Sequence, residues 1–333
     1  SGLHRALEAL YDGCAVGSMN DFVSEGDIFI TATGNKHVIT EKHFLKMKNG
    51  AILANAGHFN HEIDLDALQS LAKSEKTILL SIDDGYHSFY KNAWPYLKKN
   101  KIPFIIFIST EAVGKKGYMN WGEIKEIEKY DFVTIGNHSH SHDYLVNFSF
   151  DEFKEDIKKS IEIFKNNLGY NPIFFSYPFG EWDSNQKKFI SEYFEFAFGQ
   201  HSGVIDINKD KYELPRFPIN EKYGDMERFK FIVNLLPFQY KKVYPEEKII
   251  DSNNPPNMKV EFFEEQNISN INCFSNEGGN WDNSKFEIER NTLKIYFKDK
   301  FKTRRGRINC SIKDTEGWRW FGVQFVLKNI KEN

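Results

Sequence analysis

The chain has 333 residues, more than one ordinary domain holds, so two or three are expected. A net charge of −3 and a pI near 6.4, with no Lys/Arg block standing apart from interleaved acids, exclude the footprint of a nucleic-acid binder. No apolar run approaches the ~20 residues of a membrane span, and 31 Phe, 15 Tyr and 6 Trp suit both core packing and stacking on sugar rings. The N-terminal "SGLHRALEAL" lacks a basic n-region before an apolar stretch, so no signal peptide is read, and a cytoplasmic location is favoured slightly over a secreted one. Three cysteines cannot build a disulfide framework. Cys273 and Cys310 sit in strand-like text and either face each other in one bridge or stand as two buried thiols.

In chain order, residues 1–72 read as α/β. "LHRALEALYDG" is a helix stopped by Gly13, and "GDIFITATGN" is a buried strand running into a Gly-Asn turn. "EKHFLKMKNG" is a helix with a glycine stop, and "AILANAG" is a second buried strand. "DIFITATGNKHVIT" followed by "MKNGAILANAGHFNHEIDL" closely resembles the nicotinamide-binding domain of S-adenosylhomocysteine hydrolase over nearly all of residues 3–67. His61 stands where a small apolar residue is expected. By that resemblance Asn35 and His58 match positions that touch the cofactor. A dinucleotide site also needs a glycine-rich turn whose backbone N–H groups hold the pyrophosphate, and no G-x-G-x-x-G occurs in the chain. The segment therefore reads as a partial Rossmann-like unit, with no cofactor-binding residue assigned.

From Lys76 the pattern changes. "KTILLSIDDGY" is an apolar strand ending in two acids and a glycine, followed by the amphipathic helix "HSFYKNAWPYLKKN" and the buried strand "IPFIIFIST". "MNWGEIKEIEKY" is a helix, "DFVTIGNHSH" a strand, "FDEFKEDIKKSIEIFKNNLG" a long helix with a glycine stop, and "PIFFSYPFG" a strand. Strands alternating with helices predict a parallel sheet, open or closed into a barrel, in a domain over 73–245. In such sheets functional residues gather beyond the C-terminal ends of the strands. Asp83, Asp84, His138, His142 and Phe179 all fall there. After about Val243, "YPEEKIIDSNNPPN" reads as a linker. Beyond it "KVEFFEE", "KFEIERNTLKIYFKD", "GRINCSIKD" and "RWFGVQFVL" read as short strands of a small β-rich domain over 250–333.

Two adjacent carboxylates in an extended "SIDDG" project to opposite sides, so one can bind a metal while its neighbour faces a reacting water. An Asp-Gly turn is the alternative. In "GNHSHSHDYL" three histidines alternate. A continued strand would put all three on one face. A helical loop after Gly136-Asn137 would bring His138 and His142 together and send His140 elsewhere, and Gly-Asn favours this geometry. Two imidazoles and a carboxylate form a three-ligand set with open positions, as catalytic zinc sites require.

"SIDDG", "HSHSH" and "FSYPFG", in that order, resemble the motifs of the NodB-homology polysaccharide deacetylases, carbohydrate esterase family 4, over roughly residues 76–220. The resemblance implies a distorted (β/α) barrel, here preceded by the partial Rossmann-like segment and followed by the β-rich domain. It implies a metal-dependent deacetylase that removes the N-acetyl group of an amino sugar in a poly- or oligosaccharide. Asp83 would be the general base, and Asp84, His138 and His142 would hold a divalent metal. Two imidazoles favour zinc over magnesium or calcium, which prefer oxygen shells. The N–H of Phe179 would serve the oxyanion, and His140 fills the variable position of the motif. Ser176 stands where the family often has an arginine that orients the base. Arg216 in "ELPRFPI" is read as its substitute, or else as a structural arginine. The fourth, tryptophan-bearing motif is not recognisable. The general acid falls to His201 in "FAFGQHSG", with His58 and His61 as alternatives because some relatives place the acid before the acidic pair. His87 reads as a surface residue. Two readings compete: a catalytically inactive carbohydrate-binding relative, and an NAD-dependent S-adenosylhomocysteine hydrolase-like protein undercut by the absent phosphate loop.

Overall fold

The computed structural model describes residues 2–33, 35–48, 51–55, 62–72, 78–206, 208–264, 266–328 and 330. The chain forms two compact units, Ser1–Thr77 and Ile78–Asn333. In the first, α1 (Gly2–Tyr11) and α2 (Met19–Phe22) precede β1 (Ile28–Thr31), and α3 (Glu41–Phe44) leads to β2 (Ile52–Asn55) and α4 (Leu65–Ala72). β1 and β2 pair in parallel with Ile28 opposite Ile52. The period of two buries Phe29 and Thr31 on one face and leaves Ile28 and Ile30 exposed on the other. The helix expected over "EKHFLKMKNG" is only the single turn of α3. Asn35 is exposed and its N–H donates to Thr33 Oγ1, while His58 and His61 lie outside the described residues.

The second unit begins with β3 (Leu80–Ile82), α5 (Trp94–Asn100), β4 (Phe104–Ile108), α6 (Trp121–Glu128), β5 (Val133–Asn137), α7 (Phe150–Leu168), β6 (Phe174–Ser176), α8 (Ser184–Ile190) and β7 (Phe196–Phe198). The five strands lie side by side in chain order and all neighbours are parallel. Each strand beside its successor is the winding of a barrel, not of a doubly wound sheet. Five such strands make a curled half-barrel. β4, "FIIFI", is buried at every position, as a strand covered on both faces must be. α7 opens on a Ser149/Glu152 capping box and stops at Gly169 in the left-handed conformation.

Beyond α9 (Met226–Ile232) come β8 (Leu236–Pro237), β9 (Tyr240–Tyr244), β10 (Met258–Phe262), β11 (Asn272–Ser275), β12 (Asp282–Asn283), β13 (Lys285–Glu289), β14 (Thr292–Tyr296), β15 (Arg305–Lys313) and β16 (Trp318–Val326). They form two sheets, ordered β13-β14-β10-β9 and β12-β11-β15-β16-β8, with a shared apolar core that includes Met258, Val260, Leu293, Ile308 and Phe325. The expected β-rich region is therefore present, and Cys273 and Cys310, opposite each other on β11 and β15, are joined by a disulfide. Two features differ from expectation. β9, inside the span 73–245, pairs with β10 of this region. The segment read as a linker is instead packed, because Ile250 is buried and its N–H donates to the Val326 carbonyl while Val326 N–H donates to Lys248. Among the described residues no helix is long and apolar enough to cross a membrane.

The approach of β4 to β5 requires a glycine. A Cβ on Gly136 would lie 2.4 Å from the ring of the fully buried Phe107. Gly136→Ala is expected to cost about 1–3 kcal/mol through overpacking, measured as a lower urea midpoint with an unchanged slope.

Candidate active site

β3 ends at Ile82 and the chain turns. Gly85 N–H donates to the Asp83 carbonyl, and Asp84 and Gly85 take φ values of 73° and 70°. The acidic pair thus occupies a turn, not the extended segment expected, yet the turn still sends the two carboxylates to different partners. Asp83 receives both arms of the Arg216 fork, Nη1 to Oδ1 at 2.7 Å and Nη2 to Oδ2 at 2.9 Å. Arg216 is fixed in turn by the Gly199 carbonyl, 2.9 Å from Nε, and by Ser176 Oγ, 2.9 Å from Nη2. A small residue at 176 leaves room for this guanidinium and offers it an acceptor. Burial alone would raise the Asp83 pKa, but the adjacent Arg216 charge and its hydrogen bonds outweigh burial and hold the carboxyl below its usual range.

β5 runs through Asn137, one residue past the expected break, and the histidine loop that follows is not helical. Asp156, a buried carboxylate of α7, accepts the N–H groups of His140 and Ser141, each at 2.9 Å. Asn137 Oδ1 accepts Ser139 N–H at 2.8 Å, and Ser139 Oγ accepts His142 N–H at 3.0 Å. These bonds produce the same grouping by another route. The rings of His138 and His142 lie 4.7 Å apart, whereas His140 Nδ1 sits 2.9 Å from Thr110 Oγ1, away from both.

One donor atom from each of Asp84, His138 and His142 falls within 4.8 Å of the others. Asp84 Oδ1 is 3.1 Å from His142 Nε2 and 3.5 Å from His138 Nε2. His138 Nδ1 lies 2.7 Å from the Ser176 carbonyl. A carbonyl can only accept, so Nδ1 carries the proton and the lone pair of Nε2 faces the cluster. That Nε2 is buried and makes no hydrogen bond. Burial lowers the His138 pKa and keeps the ring neutral. A buried, deprotonated imidazole nitrogen beside a carboxylate and a second imidazole fits a divalent cation.

Seven non-glycine residues in the described chain have positive φ, and four of them, Asp84, Ser139, His142 and Phe179, surround this cluster. Each such conformation costs on the order of 1–3 kcal/mol and persists only where the surroundings over-determine it. Phe179, at φ 59° in the single 3₁₀ turn Pro178–Gly180, stacks on Tyr144 at 4.2 Å and meets the His142 ring at 4.9 Å. A cavity of about 200 Å³ opens at Asp84 and His142, walled by Tyr86, Ser109, Glu111 and Tyr118. The Tyr86 and Tyr118 rings stack at 4.9 Å. A hydrogen bond with Tyr118, then the Asp84 charge, pushes the Tyr86 hydroxyl up to about 12.

His201 is not brought to this cavity. It lines a separate one of about 400 Å³, 5.8 Å from the Trp182 ring, and its Nδ1 is buried without a hydrogen-bond partner. Burial, followed by the charges of Lys248, Arg216 and Arg307, pushes its pKa down to about 3. Such a ring is neutral at ordinary pH and lacks the imidazolium proton that a general acid would deliver. His142 is the one histidine among the described residues that line the Asp84 cavity. His87 lies 3.3 Å from the Glu123 carboxylate. Sequence reasoning missed Asp156, although a signal existed: it lies on the buried stripe of α7 with Phe153, Ile157 and Ser160.

Residues 70–193 match the family model described as polysaccharide deacetylase, and residues 4–90 match the S-adenosyl-L-homocysteine hydrolase NAD binding domain. Both resemblances read from the motifs are borne out, with the acidic pair inside both matches and Arg216 and His201 beyond the first. The N-terminal segment is 60% identical over 72 residues to the adenosylhomocysteinase of Archaeoglobus fulgidus, covering 22% of this chain and 18% of that protein. It is 54% identical over 80 residues to the S-inosyl-L-homocysteine hydrolase of Methanosarcina mazei, covering 24% of this chain and 20% of that protein. The chain thus spans about a fifth of the length of these curated relatives. A crystal structure of a polysaccharide deacetylase from Bacillus cereus is similar at 22% identity and a TM-score of 0.45, covering 51% of this chain and 55% of that one.

The depressed His201 pKa has a consequence for stability. An unfolded imidazole titrates near 6.5 and the folded one near 3, so between these values the unfolded state binds more protons and stability falls as pH drops. Equilibrium unfolding of His201→Gln between pH 7 and 4 is expected to show a shallower decline than the wild type.

Proposed function

We propose that the half-barrel from β3 to β7, with the segment that carries Arg216, is the catalytic part of a metal-dependent carbohydrate deacetylase that hydrolyses the N-acetyl group of an amino sugar in a poly- or oligosaccharide. The observation that carries this reading is the Asp84–His138–His142 cluster set beside a second carboxylate, Asp83, that is held ionised by Arg216. The polysaccharide deacetylase match over 70–193 supports the substrate class. Asp84, His138 and His142 would hold the cation, and two imidazoles with one carboxylate favour zinc. Such an ion supplies Lewis acidity and lowers the pKa of water bound to it.

Asp83 acts as the general base. With a depressed pKa it is always ionised near neutrality but intrinsically weak, a combination suited to a proton donor that has already been acidified. Arg216 is the orienting residue that the motif lacks at Ser176. Its fork fixes both oxygens of Asp83, which a lysine could not do. His138 is oriented by the Ser176 carbonyl. The Phe179 N–H is assigned to the developing oxyanion, and the stacked Tyr86–Tyr118 pair is assigned to a sugar face. A binding module without catalysis is the second reading, favoured by the lack of a further histidine among the described residues of the cavity. Metal analysis together with acetate release from a panel of N-acetylated sugars tests the two.

Asp84→Ala, His138→Ala and His142→Ala should each strip the metal and abolish turnover, while His140→Ala should keep the metal, because His140 binds Thr110. Equal metal loss in His140→Ala would overturn the ligand set. Asp83→Asn should keep the metal and lose about 10²–10⁴-fold in turnover. Arg216→Ala removes the charge that lowers the Asp83 pKa, so the acid limb of its pH–rate profile should move to higher pH, with a smaller loss at the optimum.

A further inference from the structure

The turn that carries Phe179 is not held by its own domain alone. Gln324, on β16 and almost fully buried, donates Nε2 to the carbonyl oxygens of Phe179 at 3.2 Å and Gly180 at 3.0 Å. Its orientation is forced. Arg307 Nε, which can only donate, lies 2.9 Å from Gln324 Oε1, so the amide nitrogen must face the two carbonyls, which can only accept. One residue further along the turn, Glu181 receives Arg304 Nε at 3.0 Å and Arg304 Nη2 at 2.7 Å, with both side chains buried. The Arg304 guanidinium also lies 4.0 Å over the Tyr144 ring, the ring that stacks on Phe179. Two elements of the β-rich region therefore hold the turn, one at the Phe179 and Gly180 carbonyls and the other at Glu181.

The turn needs such a grip. Phe179 is left-handed at φ 59°, and Gly180 follows at φ 66° with no space for a side chain, since a Cβ there would lie 2.4 Å from the Gln200 nitrogen. Within the turn itself the backbone bonds are Gly180 N–H to Tyr177 and Glu181 N–H to Pro178. Neither fixes the Phe179 or Gly180 carbonyl. Those carbonyls belong to the two peptides that flank Gly180, and the second of these carries the Glu181 N–H that donates to the Pro178 carbonyl. The peptide whose other end is the Phe179 N–H is thus held through that bond, and the N–H keeps one direction.

We propose that Gln324 and Arg304 are positioning residues of the active site, and that the C-terminal β-sheet acts in catalysis by locking the 178–180 turn. The proposal rests on the deacetylase reading for what the turn does, and on the contacts alone for how it is held. Gln324→Glu keeps the shape but replaces the donor with an acceptor, and Gln324→Met removes hydrogen bonding altogether. Both variants of the full chain should keep the metal with unchanged affinity and leave KM nearly unaltered. Both should lose kcat by about 10²-fold, the scale of a misplaced or missing oxyanion donor. Relative to wild type at the same pH, Gln324→Glu should recover as the pH falls and its carboxyl gains an O–H donor, whereas Gln324→Met should not. Amide hydrogen exchange at residues 179–181 should accelerate in both, a readout independent of turnover. Wild-type kcat in a folded Gln324→Met protein, or unchanged exchange at those amides, would overturn the proposal. If the wild type itself releases no acetate, the deacetylase reading fails, and faster exchange still tests the clamp.

Discussion

The fork between Arg216 and Asp83 ties the ends of the parallel strands into one site. Arg216 arrives on a segment that pairs beside β7 through Leu214, and its guanidinium then meets the end of β3 at Asp83, Ser176 at the end of β6, and the Gly199 carbonyl beyond β7. With Ser81 Oγ 3.3 Å from Nη1 as the fifth acceptor, every donor is used, which a planar five-donor group can do and an ammonium cannot. The pair is only slightly exposed. Removing either partner would leave a charge with little water to solvate it. The same contact acts on charge, because the guanidinium that orders the strand ends also helps keep the Asp83 carboxyl ionised.

Much of the architecture follows from local pattern. The apolar runs ending in acids, histidines or Tyr-Pro locate β3, β5 and β6, and the glycine stop at Gly169 and the Ser149/Glu152 box bound α7. Successive strand–helix units then leave Asp83, Asp84, His138 and Phe179 at one edge of the sheet. That inference needs only the direction of parallel strands. The grouping of His138 with His142 was also legible from spacing, though for a geometry that the loop does not adopt. A helical loop and the actual left-handed kinks at Ser139 and His142 both return the chain by four residues, so the spacing cannot tell them apart.

What escaped the sequence is what acts over long separations. His201 follows an apolar strand and reads as a late-domain acid, yet its side chain turns into a different cavity and loses its charge to burial. The direction of a side chain beyond a strand end is decided by packing, here against Trp182, and no period records it. "YPEEKIIDSNNPPN" has the composition of a linker, but its few apolar members, Ile250 foremost, are enough to pin it to the end of β16 at Val326. Gln324 sits in a run of strand residues where a buried amide has no local explanation. Its reason lies 144 positions upstream, at Gly180.

The distribution of strain connects these points. Left-handed residues other than glycine are disfavoured in any local ensemble, and four of them form the walls of one small site. No motif accounts by itself for all four. Asp84 lies beside the His138 and His142 rings, and Ser139 and His142 are tied to Asn137 and to each other in a loop whose His140 and Ser141 N–H groups are held by Asp156. Phe179 is held by its ring contacts and by the β-sheet beyond. A short motif can therefore name the groups of the candidate site without containing all of the energy that aims them. That energy is spread over α7, the loop at Arg216 and the C-terminal sheet, where well-packed neighbours can hold a conformation that the motif would not choose for itself.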